Sequence, residues 1–278
     1  MEKKLLRLLY IVLIIIVLII FLGIIVFPFF WVFITSIKPG SEVFGEGAYN
    51  LFTSNPTLTN YTMVLQKGIG HSVYNSAIVS TATMLYVVFI SSLMAYAITR
   101  FNFKGKNLLL GFVLAVSMFP QMIIVGPVYN IFMTLGWNNS YWVALPYSTI
   151  TLPLAVWILV SHFKKIPLSI EESARIDGAP PFTILWKIVF PLAAPGIFTA
   201  AIISFIAAWN EYLLTVTLNT NVEFHTVPVA ISFLRTQFQI LWGQVTAATV
   251  VVTIPTLILV LLFQRRIISG LVSGAVKE

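Results

Sequence analysis

The sequence contains no cysteine and, across 278 residues, only one aspartate and three histidines. Without cysteine there is no disulfide framework, no thiolate metal site and no cysteine nucleophile. A lone aspartate, Asp177, excludes an intramembrane protease built on two of them. His71, His162 and His225 stand too far apart for zinc-binding spacing. His162, beside Lys164 and Lys165, reads as a membrane-edge residue. No G-x-x-x-x-G-K-[ST] phosphate loop occurs; Gly105-Lys106-Asn107 lacks both the spacing and the hydroxyl. No catalytic constellation, metal site or cofactor bound by this chain is therefore expected. Charge is scarce as well: 9% of residues are charged, against roughly 25% in a soluble domain. What remains is 59% hydrophobic, the composition of an integral membrane protein. The net charge of +7 does not point to nucleic acid, because the basic residues sit at the ends of apolar runs and form no stripe.

Six apolar runs are long enough to cross about 30 Å of hydrocarbon: about residues 8–37, 72–99, 107–134, 141–163, 191–218 and 244–263. The expected fold is an all-α integral membrane protein with six transmembrane helices, organised as a single permease-sized domain over 1–278. The first run follows MEKKLLR but is too long for a signal-peptide core, and no cleavage site follows it, so it reads as a retained span. With the N-terminus inside, thirteen of the sixteen Lys and Arg fall on the inner segments; only Lys38, Lys67 and Arg235 fall outside. The positive-inside rule then places both termini in the cytoplasm, with the loop 164–190 and the tail 264–278. Pro28, Pro120, Pro127, Pro146, Pro153, Pro195 and Pro255 lie within the runs and favour helices that bend around a pathway.

The inner loop carries EESARIDGAPPFTILWKIVFP, Glu171 to Pro191. Ser169 and Glu172 have capping-box spacing, predicting a short helix from about Ile170. Gly178 should end it, and Pro180 and Pro181 prevent its continuation. A second helix is expected from about Pro181, with Phe182, Leu185, Trp186 and Val189 forming one apolar stripe and Pro191 ending it. An amphipathic helix lying on lipid would be basic, whereas this first arm carries Glu171, Glu172 and Asp177 against Arg175 alone. An acidic arm with small residues suits the groove of a soluble partner better than an anionic leaflet.

These residues resemble the coupling motif of ABC importer permeases, E-A-A, three residues, G, nine residues, I-x-L-P. It is matched by Glu172, Ser173, Ala174, Gly178, Ile188 and Pro191, with Ser173 replacing an alanine and Phe190 the leucine. EESARIDGA, WKIVFPLAAPGI, WNEYL (209–213), FPFFWVFITSIKP (27–39) and QRRIISGLVSGAVKE (264–278) are similar to the sugar-importer branch, in particular to G-type permeases of maltose-like systems. The resemblance implies a type I importer permease in the bacterial or archaeal cell (inner) membrane. The implied partners are a second, F-type permease, two cytoplasmic ATPase subunits that bind ATP and Mg, and an extracytoplasmic substrate-binding protein. It also implies that Glu171, Glu172, Ser173, Ala174, Asp177, Gly178, Ile188 and Pro191 form the ATPase-coupling elbow, that the tail reaches between the ATPases, and that the loop near 227–238 dips over the pathway.

Glu211 is the one acid inside an apolar run, and an intramembrane carboxylate is a functional candidate. It could line a pathway with Trp209, Asn210 and Tyr212. Alternatively it is an outer-interface residue paired with a backbone or amide group, the reading favoured by the aromatic character of WNEYL. A non-sugar cargo, or a secondary transporter using Glu211 as proton carrier, are the competing functions. The outer loops, about 38–71 and 219–243, are either a surface for a binding protein or simple connections.

Overall fold

The computed structural model describes residues 2–235 and 239–275. The chain is helical almost throughout and divides into two compact units, residues 1–69 with 233–254, and residues 70–232 with 255–278.

In the first unit, α1 (Glu2–Ser36) is followed by α2 (Gly40–Phe44) and α3 (Thr59–Gln66). The apolar stretch Leu9–Ser36 is mostly exposed within the chain, with burial only near its end at Ile34 and Ser36. A helix hydrophobic on every side needs lipid or another subunit to cover it. Lys38, beyond its end, is fully buried: its ammonium donates to the carbonyls of Gly47, Ala48 and Asn50 at 3.0, 3.2 and 2.8 Å and lies 5.2 Å from the Trp31 ring centre. A charge withdrawn from water requires such partners. Here they close the 40–50 loop around one lysine.

The second unit contains α4 (Ile69–Arg100), α5 (Lys106–Val116), α6 (Gln121–Leu135), α7 (Ala144–Phe163), α8 (Leu168–Ile176), α9 (Pro181–Ile184), α10 (Phe190–Leu192), α11 (Ala194–Trp209), α12 (Leu213–Leu218) and α13 (Val227–Ser232). The last helix, α14 (Trp242–Ala275), begins in the first unit and ends in the second. α7 packs mainly on α11, and Gly196 makes the approach possible: a Cβ there would lie 2.4 Å from the His162 ring. One core cluster joins Val87 and Ala95 of α4, Val156, Leu159 and Phe163 of α7, Ile184, Leu185 and Val189 of the elbow, and Ile197 and Ala200 of α11. A second gathers Val79, Phe132, Tyr147, Ala208, Leu214 and Leu218 towards the opposite end.

Four stretches are long and apolar enough to span a membrane: Leu9–Ser36, Ile69–Arg100, Tyr141–Phe163 and Trp242–Gln264. The other two expected runs are bent. Lys106–Val116 and Gln121–Leu135 meet at 94°, and Pro181–Leu192 and Ala194–Trp209 at 85°. The span expected at 107–134 is interrupted at Pro120, one of the prolines expected to bend the helices, because it offers no N–H and disfavours helix at Phe119. The run 191–218 is corrected twice. It starts beyond the bend at Ala193, where Pro195 deprives the Pro191 carbonyl of its helical donor, and it breaks again at 210–212. Pro28, Pro127, Pro153 and Pro255, by contrast, lie inside helices that run on. α14 also continues through the expected tail as far as Ala275; residues 276–278 lie outside the described part.

Candidate functional site

The elbow between α7 and α11 is built as a helix, a left-handed joint and a second helix. α8 starts two residues earlier than the capping box predicted. Pro167 is its N-cap residue, no side chain caps it, and Ser169 lies inside the helix with its carbonyl accepting from the Ser173 hydroxyl at 3.0 Å. The proline's fixed φ starts the helix without needing a hydroxyl cap. The end is as expected. Gly178 has φ +84°, its N–H reaches the Arg175 carbonyl at 3.0 Å, and the Ala179 N–H reaches the Ala174 carbonyl at 2.9 Å. This double closure is a Schellman motif, which favours glycine at the left-handed position.

Pro181 opens α9. The next turn, Leu185–Val189, is a π-turn, and it changes the predicted stripe: Ile184, Leu185 and Val189 are buried, while Phe182 is exposed and Trp186 only half-buried. One extra residue in the turn rotates the side chains and lets the helix carry on through Pro191 to Leu192, so Pro191 does not end it. Trp186 stacks on Phe89 of α4, with ring centres 5.6 Å apart.

The candidate coupling residues separate into two groups. Glu172, Ser173, Asp177 and Gly178 are exposed, with Ile176 beside them 87% exposed. Ala174 and Ile188 are half-buried, and Pro191 is exposed on the far arm. Glu171 does not share the outward face. Its carboxylate turns inward to Arg100 Nε at 2.5 Å and accepts from the Tyr96 hydroxyl at 3.2 Å. Arg100 also donates to the carbonyls of Phe163 and Ile166. Glu171 and Glu172 are neighbours in sequence, but a helix turns about 100° per residue, so only one can face the core. Sequence reasoning missed Arg100 because it was counted as one more basic residue at a span's end. Nothing in the sequence of α8 itself names that partner.

Of the candidate pathway residues, two are buried and two exposed, and Glu211 is paired with backbone N–H groups. Trp209 is buried against Phe205, their rings 5.6 Å apart, and Glu211 is buried too. The Glu211 carboxylate accepts the Leu214 N–H at 2.7 Å and the Thr215 N–H at 3.3 Å, the service an N-cap side chain ordinarily gives. Thr215 in turn bonds Tyr147 of α7. Asn210 and Tyr212 are exposed, the Asn210 amide donating back to the Ile206 carbonyl. The loop expected to dip inward begins as α13, whose Val227 N–H donates to Ser76 of α4 at 2.8 Å; 236–238 lie outside the described residues. Among the described residues no cluster of three or more His, Cys, Asp or Glu is placed to hold a metal ion.

The family model described as binding-protein-dependent transport system inner membrane component matches residues 87–272. The trehalose/maltose transport system permease protein MalG of Thermococcus litoralis is 42% identical over 259 residues, covering 91% of this chain and 92% of that protein. The trehalose transport system permease protein SugB of Mycobacterium tuberculosis is 40% identical over 259 residues, covering 92% and 93%. Among solved structures, a chain of a bacterial ABC transporter involved in import of the acidic polysaccharide alginate matches with a TM-score of 0.74 at 21% identity, covering 92% of this chain and 96% of that one.

Proposed function

The chain belongs to the family of binding-protein-dependent transport system inner membrane components, and from that premise we propose that it is the G-type permease subunit of an ATP-driven carbohydrate importer. In this reading it forms half of a type I translocation pathway in the cell membrane of a bacterium or archaeon. It crosses the membrane six times, each bent pair counting as one span, with both termini in the cytoplasm on the side of the thirteen basic residues. The cargo is an oligosaccharide of the trehalose or maltose kind, as in the transport systems of its relatives MalG and SugB. Its partners are an F-type permease, two cytoplasmic ATPases that bind ATP and Mg, and an extracytoplasmic binding protein. The chain itself carries out no hydrolysis.

The observation that carries this reading is the exposed, acidic, glycine-jointed elbow at Glu172–Gly178. Glu172 and Asp177 offer carboxylates to a basic cleft, the small Ser173 permits close approach, and the exposed Ile176 supplies an apolar contact. Because the second helix is continuous with the arm that packs on α4 and α7, a push on the elbow reaches the bundle core. Alternating access then needs nucleotide and binding protein to favour different states of that bundle. Glu211, engaged as a helix cap, is not required as a proton carrier.

The test is affinity purification of the tagged chain from native membranes in mild detergent, followed by ATP-driven uptake in liposomes. Co-purification of an ATPase and a second permease, with uptake of trehalose or maltose only when ATP and binding protein are present, is the expected result. Uptake of a different solute under the same dependence would correct the cargo alone. Uptake that follows the proton gradient with ATP held constant would replace the proposal by a secondary transporter.

A further inference from the structure

Arg100 and Glu171 form an ion pair whose side chains are both nearly inaccessible, 3% and 1% exposed. Burying two opposite charges seldom adds stability over apolar packing of the same volume, so what such a pair contributes is geometry. Here the geometry joins three elements. The Arg100 guanidinium, at the last residue of α4, holds the Glu171 carboxylate through Nε and the carbonyls of Phe163 and Ile166 through a terminal nitrogen. Tyr96, one turn earlier on the same face of α4, donates to the second carboxylate oxygen. The first turn of α8 is therefore pinned to α4 at two points, and the carbonyls at the end of α7 by the same guanidinium.

The other end of α4 is also tied. The His71 ring meets the Glu223 carbonyl at 2.9 Å, Asn75 donates to the carbonyls of Glu223 and His225 at 2.7 and 3.0 Å, and the Ser76 hydroxyl accepts the Val227 N–H. Between these attachments run 32 residues of unbroken helix, roughly 48 Å long. Two other long apolar paths in the unit, Lys106–Leu135 and Pro181–Trp209, are bent, at 94° and 85°. α4 is an unbroken helical connection from the elbow to the segment 219–227.

We propose that Arg100 and Glu171 are positioning residues that lock the coupling elbow to α4, so that its displacement by the ATPases is carried along α4 to the outer segment. This rests on the function proposed above. Glu171 acts inside the chain, and its neighbour Glu172 acts on the partner.

The experiment uses the purified complex with its binding protein in liposomes and reads sugar transported per ATP hydrolysed. If the wild-type complex shows no ATP-dependent uptake, the proposed function fails, whatever the variants do. If it is coupled, Glu171→Gln and Arg100→Ala are compared in complexes that contain every subunit. The ratio of sugar to ATP should fall about tenfold, within the range of ordinary allosteric coupling. The double variant R100M/E171M removes both buried charges, so it should assemble as well as wild type and remain uncoupled; with Glu171→Gln it decides the matter if Arg100→Ala does not assemble. A wild-type ratio in the assembled Glu171→Gln complex, even at reduced yield, overturns the proposal. So does recovery of the ratio in the double variant, which would make the pair a matter of charge burial alone.

Discussion

Glu172 and Glu211 are both acids in an apolar chain, and the two ends of the second unit treat them differently. At the elbow Glu172 is exposed, beside an apolar Ile176 that is exposed as well. At the opposite end Glu211 is buried, and both carboxylate oxygens are engaged by the N–H groups of Leu214 and Thr215. The first region is open to its surroundings; the second is closed on itself. A carboxylate in a membrane protein is thus a functional candidate only after its possible partners within the chain have been counted. Glu171, adjacent to Glu172 yet bound to Arg100, makes the same point within two residues.

If the elbow is the coupling surface, the largest effect comes from breaking its joint. Proline fixes φ near −65°, whereas Gly178 sits at +84°. Gly178→Pro should lower ATP-driven uptake by about two orders of magnitude while the chain still inserts, since the strain is confined to one turn. Membrane fractionation together with an uptake assay checks this. Glu172→Lys comes next. It reverses a charge on the exposed face and should reduce uptake and ATPase retention about tenfold, with stability changed by no more than about 0.5 kcal/mol, as for other surface substitutions. Thermal unfolding of the detergent-solubilised chain provides the second half of that measurement.

At the closed end the order of effects reverses, with stability altered and coupling preserved. Glu211→Ala leaves the first N–H groups of α12 without their acceptor and should cost about 1–2 kcal/mol, as loss of a helix cap does. Glu211→Gln keeps an acceptor and should cost less. The ratio of sugar to ATP should stay at the wild-type value in both. Loss of uptake in Glu211→Gln without loss of stability would move Glu211 into the pathway. The smallest effect is expected from Ser173→Ala. The Ser173 hydroxyl bonds only within its own helix, to the Ser169 carbonyl, so its removal should alter stability by a few tenths of a kcal/mol at most and leave uptake unchanged.

Much of this contrast was legible in the sequence. The glycine joint at 178, the proline start at 181 and the acidic bias of the first arm all follow from local chemistry, and the structure repeats them. Local rules went wrong where a second donor or a distant partner intervened. Pro191 looked like a helix end, but the π-turn before it absorbs the missing N–H and moves the break to Ala193. The runs 107–134 and 191–218 looked continuous because hydropathy does not register direction: a chain bent by 94° stays as apolar as a straight one. The inward turn of Glu171 depends on Arg100, seventy-one residues away, and no periodicity within α8 could name that partner. The engagement of Glu211 by backbone N–H groups was anticipated as one of two alternatives, and the break at 210–212 is what makes those groups available.

The absence of cysteine provides the most direct test of the central claim, because one introduced cysteine is a unique handle. Glu172→Cys, fitted with a short bifunctional cross-linker in native membranes, should capture one partner, a cytoplasmic protein carrying the G-x-x-x-x-G-K-[ST] loop that this chain lacks. Capture that weakens when nucleotide is supplied would further indicate that the contact moves with the ATPase. If Glu172→Cys is labelled readily yet captures no ATPase, or is reached only by reagents applied from outside the cell, the elbow is not the coupling surface and the account fails.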